Sequence, residues 1–335
     1  MESSFIPVFL STDNNYAAAA YIALYSLLCN YGGGEGIRVY VLTPDDFAAE
    51  NQSMLRSLSG SFPFADVRII PMGSSYASVK INTAYISTAT MYRLLIPRLV
   101  KELGDADIEK CIYLDSDLVV EEDISELFHI DMEDCCIAGV RERAISDKKM
   151  EELQIPSLDQ YVNAGVLLMN LKEIEHCGLA KSLEDAGYRD DFRHNDQDAV
   201  NRVFYGKTKL LPLRFNAINQ YLNDEAENVQ AYGSAAIQEA KENPLIIHYL
   251  LKRKPWSYKR VPMEDAWWKY VKMQDRDTLR LYIRPFLKDH RLPLPIRVKE
   301  TVLNASKILG VYPLLCKTVR AVKKRIKNPP DRTSP

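Results

Sequence analysis

The chain has 335 residues, 47% of them hydrophobic and 26% charged, and a formal net charge of −2. Such proportions fit a globular protein with a sizeable core and exclude a disordered or fibrous chain. The near-neutral balance gives no whole-chain argument for a nucleic-acid partner. Six cysteines, at 29, 111, 135, 136, 177 and 316, form no CxxC pair, so they read as reduced core thiols rather than a disulfide frame or zinc site. The first basic residue is Arg38, so the opening stretch lacks the charged region of a secretory signal. The apolar segment 16–29 is shorter than the ~20 residues of a membrane span. A cytoplasmic protein is expected.

In chain order, "IPVFLST" (6–12) reads as a strand and "YAAAAYIALYSLLCNY" (16–31) as a helix stopped by Gly32, Gly33 and Gly34. A second strand follows at 37–43, a helical stretch at 45–60, a third strand at 66–72, mostly helix at 86–103, and a fourth strand in "KCIYLD" (110–115). Strands alternating with helices predict βαβ units and a largely parallel sheet. Between 284 and 327 twelve Lys or Arg face only two acids. That shift in composition places a boundary between 262 and 263, giving a domain over 1–262 and a basic extension over 263–335.

Open parallel sheets bind ligands beyond the carboxyl ends of their strands. The first strand delivers Asp13, Asn14 and Asn15 there, suited to hydrogen-bonding a base or ribose. Helix N-capping accounts for the same residues and is the simpler reading of that stretch alone.

The stretch "IYLDSDLVV" (112–120) is more demanding, because an apolar strand ends in Asp115 and Asp117 with one residue between them. Both carboxylates can reach one hard cation, whose open positions phosphate oxygens fill. A plain turn is the bland alternative. A phosphatase with a nucleophilic first Asp is another, disfavoured because at least three strands precede the motif. In "YVNAGVLLMNL" (161–171), Asn163 enters an apolar run, where its amide fixes a sugar hydroxyl or caps a turn. In "HNDQDAVNRVF" (194–204), Asp196, Gln197 and Asp198 crowd the first turn of a helix, where acids also suit the helix dipole. "NPLIIHYLLKRKPW" (243–256) brings His248 to the end of a strand-like run, with Lys254 close behind. An imidazole beside two carboxylates biases a site towards Mn2+ over Mg2+, and a lysine neutralises a diphosphate as a point charge.

Taken in order, "FLSTDNNYAAAAYIALYSL", "TATMYRLLIP", "YLDSDLVV", "NAGVLLMNL", "NDQDAVN" and "HYLLKRKPW" resemble the motif series of glycosyltransferase family 8, which includes bacterial lipopolysaccharide galactosyl- and glucosyltransferases. The resemblance spans roughly 5–260. It implies an α/β GT-A fold with a mixed, mainly parallel central sheet, and retaining transfer of galactose or glucose from a UDP-sugar to a saccharide or glycolipid. It further implies that Asp115, Asp117 and His248 ligate Mn2+, with Mg2+ as the alternative ion. By the same resemblance Asp13, Asn15 and Tyr16 contact the uridine, and Arg93, Asn163, Asp196 and Gln197 surround the donor sugar. Asp196 and Gln197 are the expected catalytic pair, and Lys254 is expected to meet the diphosphate. One position departs from the family, which commonly has Gly three residues after the metal His; here Leu251 stands, and Leu does not adopt a positive-φ turn cheaply.

In 315–327, Leu315, Val319, Val322 and Ile326 form one helical face, with Lys317, Arg320, Lys323, Lys324, Arg325 and Lys327 over most of the rest. The pattern suits an interfacial helix on anionic lipid at the inner face of the cytoplasmic membrane; a solvated helix packed on the protein is the alternative. A non-catalytic membrane-associated carbohydrate-binding protein is the second functional reading.

Overall fold

Uninterrupted apolar runs such as "VFL" and "VYVL" can be buried on both faces, and they become the middle of a sheet. The computed structural model describes residues 5–79, 87–105, 107–143, 148–189, 192 and 195–296. Its strands are β1 (Phe5–Ser11), β2 (Gly36–Thr43), β3 (Ala65–Pro71), β4 (Lys110–Leu114), β5 (Leu118–Val120), β6 (Ile137–Val140), β7 (Val166–Asn170), β8 (Thr208–Leu211), β9 (Ala217–Ile218) and β10 (Ile246–His248). Seven form the main sheet in the order β3-β2-β1-β4-β7-β6-β8, and β5-β10-β9 form a small second sheet. Within the main sheet β7 alone runs against its neighbours β4 and β6, so the sheet is mixed and mainly parallel, as expected.

Period-two alternation divides the core into two layers. Val8, Val41, Ile112 and Val166 face one layer, which holds the Ala-rich helix Ala17–Asn30. Phe9, Tyr40, Tyr113 and Leu167 face the other. Small side chains let that helix lie close on the sheet, and nearly all of it is buried. Two helical stretches differ from expectation. The helix expected over 45–60 begins at Ala49, because Pro44 opens a turn closed by the Phe47 N–H on the Pro44 carbonyl, 3.2 Å. The stretch expected over 86–103 is a 3-10 helix, Thr88–Leu95, followed by the α-helix Ile96–Glu102 with Pro97 in its first turn.

The first compact unit continues past residue 262 to Asp289, and a second covers His290–Pro335. Helix Glu264–Lys272 is amphipathic, and its Trp267, Tyr270 and Val271 belong to the first core layer together with Ile283 and Phe286. The basic pattern over 315–327 lies outside the described residues. No described helix is long and apolar enough to cross a membrane.

The link between the two sheets positions a cluster of polar residues. β4 ends at Leu114 in the main sheet and β5 starts at Leu118 in the small one, so Asp115, Ser116 and Asp117 form the step between sheets. β10 pairs antiparallel with β5, His248 opposite Leu118, which brings the imidazole to the same step.

Candidate active site

Asp115, Asp117 and His248 each offer a ligand atom, and these atoms lie within 4.8 Å of one another. His248 Nε2 stands 3.0 Å from Asp117 Oδ1 and 3.8 Å from Asp115 Oδ2. The imidazole is fully buried while the two carboxylates are partly open. Such a cluster is costly without a cation or proton among the acceptors. Gly165 is what lets it be so tight: it stands immediately before β7, its carbonyl accepts the Asp115 N–H at 2.8 Å, and it carries no Cβ to meet the ring.

Arg93 braces this cluster from the 3-10 helix. Its Nη2 donates to Asp115 Oδ1 at 2.8 Å, and its Nε lies 3.0 Å from Asp196 Oδ2 and donates to the Thr90 carbonyl at 2.8 Å. Nη1 donates to the Ala164 carbonyl. The guanidinium lies 4.3 Å over the Tyr113 ring, whose hydroxyl also donates to Asp115 Oδ1, at 3.1 Å. Every nitrogen of Arg93 is therefore engaged with protein, and it holds two carboxylates in place.

Charges are arranged asymmetrically. Burial pushes the Asp117 carboxyl up, but Lys254 and His248 outweigh that and hold it well below the usual carboxylate range. The buried Lys254 ammonium donates to Asp117 Oδ2 and to the Tyr249 carbonyl. Asp196 goes the other way: burial raises it, Arg93 opposes, Asp115 adds, and the carboxyl reaches about 6. Desolvation thus outweighs the ion pair at this position.

Gln197 Oε1 accepts from Asn163 Nδ2 and from the Ala164 N–H, both at 3.2 Å, and its Nε2 donates to the Tyr161 hydroxyl at 3.3 Å. Asp13 Oδ1 accepts the N–H groups of Asn15 and Tyr16 at 2.9 and 3.1 Å, a turn that precedes the helix, whose N-cap residue Tyr16 makes no side-chain cap. Tyr16 is half-buried, edge-on to Trp256 at 6.1 Å, and burial, with Asp117 and Asp13 nearby, pushes its phenol up to about 12. Asn15 is exposed beside it. Leu251 does adopt the left-handed backbone, φ 59°, and is 63% exposed.

Of the residues expected from sequence, Asp115, Asp117, His248, Lys254, Arg93, Asp196, Asn163 and Gln197 are joined in one network. Asp13 and Tyr16 approach it from the end of β1. Sequence reasoning missed Asn216, Gly165 and Glu142. Asn216 Oδ1 lies 3.0 Å from His248 Nδ1, and Glu142 Oε2 accepts from Asn163 Nδ2 at 2.9 Å. The available signal for Asn216 was an amide set between Phe215 and Ala217 in a segment otherwise apolar enough to be buried.

Residues 7–260 match the model of glycosyl transferase family 8. The chain belongs to glycosyltransferase family 8. Among similar proteins, General stress protein A of Bacillus subtilis is 25% identical over 272 residues, covering 80% of this chain and 93% of that protein. A lipopolysaccharide 1,2-glucosyltransferase of Escherichia coli K12 is 29% identical over 175 residues, covering 48% of this chain and 51% of that one. The fold is also that of solved glycosyltransferases: the bifunctional WbbM apo structure (TM-score 0.70, 23% identity, 85% of this chain and 52% of that chain) and galactosyltransferase LgtC with donor and acceptor sugar analogues (TM-score 0.65, 22% identity, 82% and 99%). This family 8 chain has the GT-A architecture expected from its motifs.

Proposed function

We propose that this protein is a retaining hexosyltransferase that moves galactose or glucose from a UDP-sugar to a saccharide or glycolipid acceptor in lipopolysaccharide or surface-polysaccharide synthesis. The observation that carries the reading is the convergence of Asp115, Asp117 and His248 on one point beside Lys254, in a chain of glycosyltransferase family 8. Relatives named as lipopolysaccharide 1,2-glucosyltransferases support the acceptor class.

The donor set of two carboxylate oxygens and one imidazole nitrogen fits a divalent cation, and the nitrogen favours Mn2+ over Mg2+. When bound, the ion offsets the negative charge that builds on the departing UDP. Lys254 supplies a further positive charge to the diphosphate at the same place. Arg93 stands between Asp115 and Asp196 and screens their mutual repulsion. Tyr16, its phenol kept protonated, offers a donor to the uridine beside Asp13 and Asn15. Asn163, Asp196 and Gln197 orient the sugar, with Asp196 and Gln197 nearest the reacting carbon. The family assignment leaves a phosphatase nucleophile at Asp115 without support. The reading is completed by a cytoplasmic location, with 315–327 against the anionic inner face of the membrane.

The test is Mn2+-dependent release of UDP from a panel of UDP-hexoses without acceptor, with Asp117→Asn as control. Slow hydrolysis of one donor, lost in the variant and with chelator, is expected. Release from no UDP-hexose, together with no binding of any, would refute the proposal.

A further inference from the structure

We infer that Asn216 is a positioning residue that fixes which ring nitrogen of His248 faces Asp115 and Asp117, through a relay of side-chain amides that ends at Gln197. The inference rests on the proposed cation site for its functional meaning, but the relay follows from hydrogen bonding alone.

It starts from a group with no choice. The Gly165 N–H can only donate, and it donates to Asn163 Oδ1 at 3.0 Å. That fixes the Asn163 amide, whose Nδ2 donates to Glu142 Oε2 at 2.9 Å and to Gln197 Oε1 at 3.2 Å. Asn163 Oδ1 also receives Asn216 Nδ2, at 3.0 Å. The Asn216 nitrogen is thereby committed, and its oxygen is turned the other way, 3.0 Å from His248 Nδ1. An amide oxygen only accepts, so Nδ1 carries a proton; Asp117 Oδ1, 3.0 Å from Nε2, only accepts as well, so the proton on Nε2 is the one a cation displaces. Nε2 then presents its lone pair to the point between Asp117 Oδ1 and Asp115 Oδ2, where a cation is coordinated. The opposite tautomer would set two lone pairs against each other at Asn216 and turn an N–H towards the cation. The far end is anchored in the same manner, since the neighbouring Ala164 N–H donates to Gln197 Oε1 at 3.2 Å. Asn163, Asn216 and His248 are all buried. Two consecutive backbone N–H groups thus set four side chains, from the expected sugar-facing Gln197 to the metal-facing imidazole. Hydrogen-bond partners of this kind around ligating histidines typically change metal affinity by about 10- to 100-fold when removed.

The experiment has two readouts besides activity. Ring 15N–1H correlation spectra of the full metal-free chain report directly which ring nitrogens carry protons. The chain has five histidines, and His248→Gln identifies the signal. A proton on Nδ1 is expected; a ring protonated on Nε2 alone overturns the inference. Mn2+ affinity is then measured by electron paramagnetic resonance for wild type, Asn216→Leu and Asn216→Asp. The Leu variant should bind Mn2+ about 10- to 100-fold more weakly, whereas Asp, which still accepts from Nδ1, should restore binding at some loss of melting temperature. Wild-type affinity in the Leu variant, or equal loss in both, overturns the relay. Should the Leu variant fail to fold, the wild-type spectrum and the Asp variant decide. A wild-type chain that binds no Mn2+ would sink the proposed cation site, and the ring proton would still decide the relay.

Discussion

Replacing Gly165 by Ala adds one methyl group at the most crowded point of the site. An ideal Cβ there falls 2.3 Å from His248 Cε1, 2.6 Å from Asp115 Oδ2 and 3.0 Å from His248 Nδ1. Carbon atoms in contact rest at ~3.5 Å or more, so ring or backbone must give by about 1 Å. Neither neighbour yields cheaply. His248 is fully buried and held at both nitrogens, and Asp115 is pinned by Arg93 and Tyr113. The backbone at 165 is not left-handed, so Ala is conformationally acceptable and stiffens the unfolded chain by ~0.4–1 kcal/mol. Overpacking costs about 1–3 kcal/mol in the other direction, so the net is a destabilisation of at most about 2.6 kcal/mol and the melting temperature should fall by no more than several degrees. Two of three ligands misplaced by an ångström should instead cost on the order of 100-fold in Mn2+ affinity and UDP release. Paramagnetic titration with Mn2+, alongside thermal unfolding, separates the two effects. A folded Gly165→Ala chain that binds Mn2+ as wild type does would refute the steric reasoning.

Leu251 gives a test by reversal of sign. At an ordinary position Gly is ~0.5–1 kcal/mol less stable than Ala, but a left-handed backbone costs a residue with a Cβ roughly 1–2 kcal/mol; Leu251→Gly should therefore unfold at higher denaturant than Leu251→Ala, and the reverse order would mean that φ is not positive there. Asp196 predicts a pH effect. Its folded value of about 6 exceeds the unfolded ~3.9, so the native state binds the extra proton between those values and stability contributed by Asp196 falls as pH rises from about 4 to about 6. The span is worth about 3 kcal/mol at 1.36 kcal/mol per unit; denaturant midpoints of wild type minus Asp196→Asn across that window should show the negative slope, and a flat difference would contradict it. For the basic tail, the full chain should cosediment with anionic vesicles and lose that binding when Lys323, Lys324 and Arg325 become Glu; equal sedimentation of both would remove the membrane reading.

Much of the architecture was legible because burial on two faces writes itself as uninterrupted apolar runs. β1 to β4 start and stop within a residue of expectation, and the Gly triplet after the first helix marks its end. The antiparallel course of β7 was not legible, since a short apolar run carries no sign of direction. The boundary expected at residue 262 followed charge, which describes a surface; Trp267 and Tyr270, on the buried face of a helix with Lys269 and Lys272 outside, carry the core further. In the site, Asp115, Asp117 and His248 could be named because each is conspicuous in an apolar context. Asn216 and Gly165 could not, because their roles consist of distances to residues far away in the chain. Arg93 was expected at the sugar; each of its guanidinium nitrogens also meets Thr90, Ala164, Asp115 or Asp196, partners that its sequence context did not show.

The step from β4 to β5 has a wider consequence. Asp115 leaves the seven-stranded sheet, whereas Asp117 and His248 border the three-stranded one, so the ligand set straddles a seam between two separately hydrogen-bonded bodies of the fold. Any substitution that slides one sheet by a fraction of an ångström against the other will register as lost ion affinity long before it registers as lost structure. A library of variants along β5, β9 and β10, screened for ion uptake alone, would therefore serve as a strain gauge and chart how firmly the two sheets are fastened.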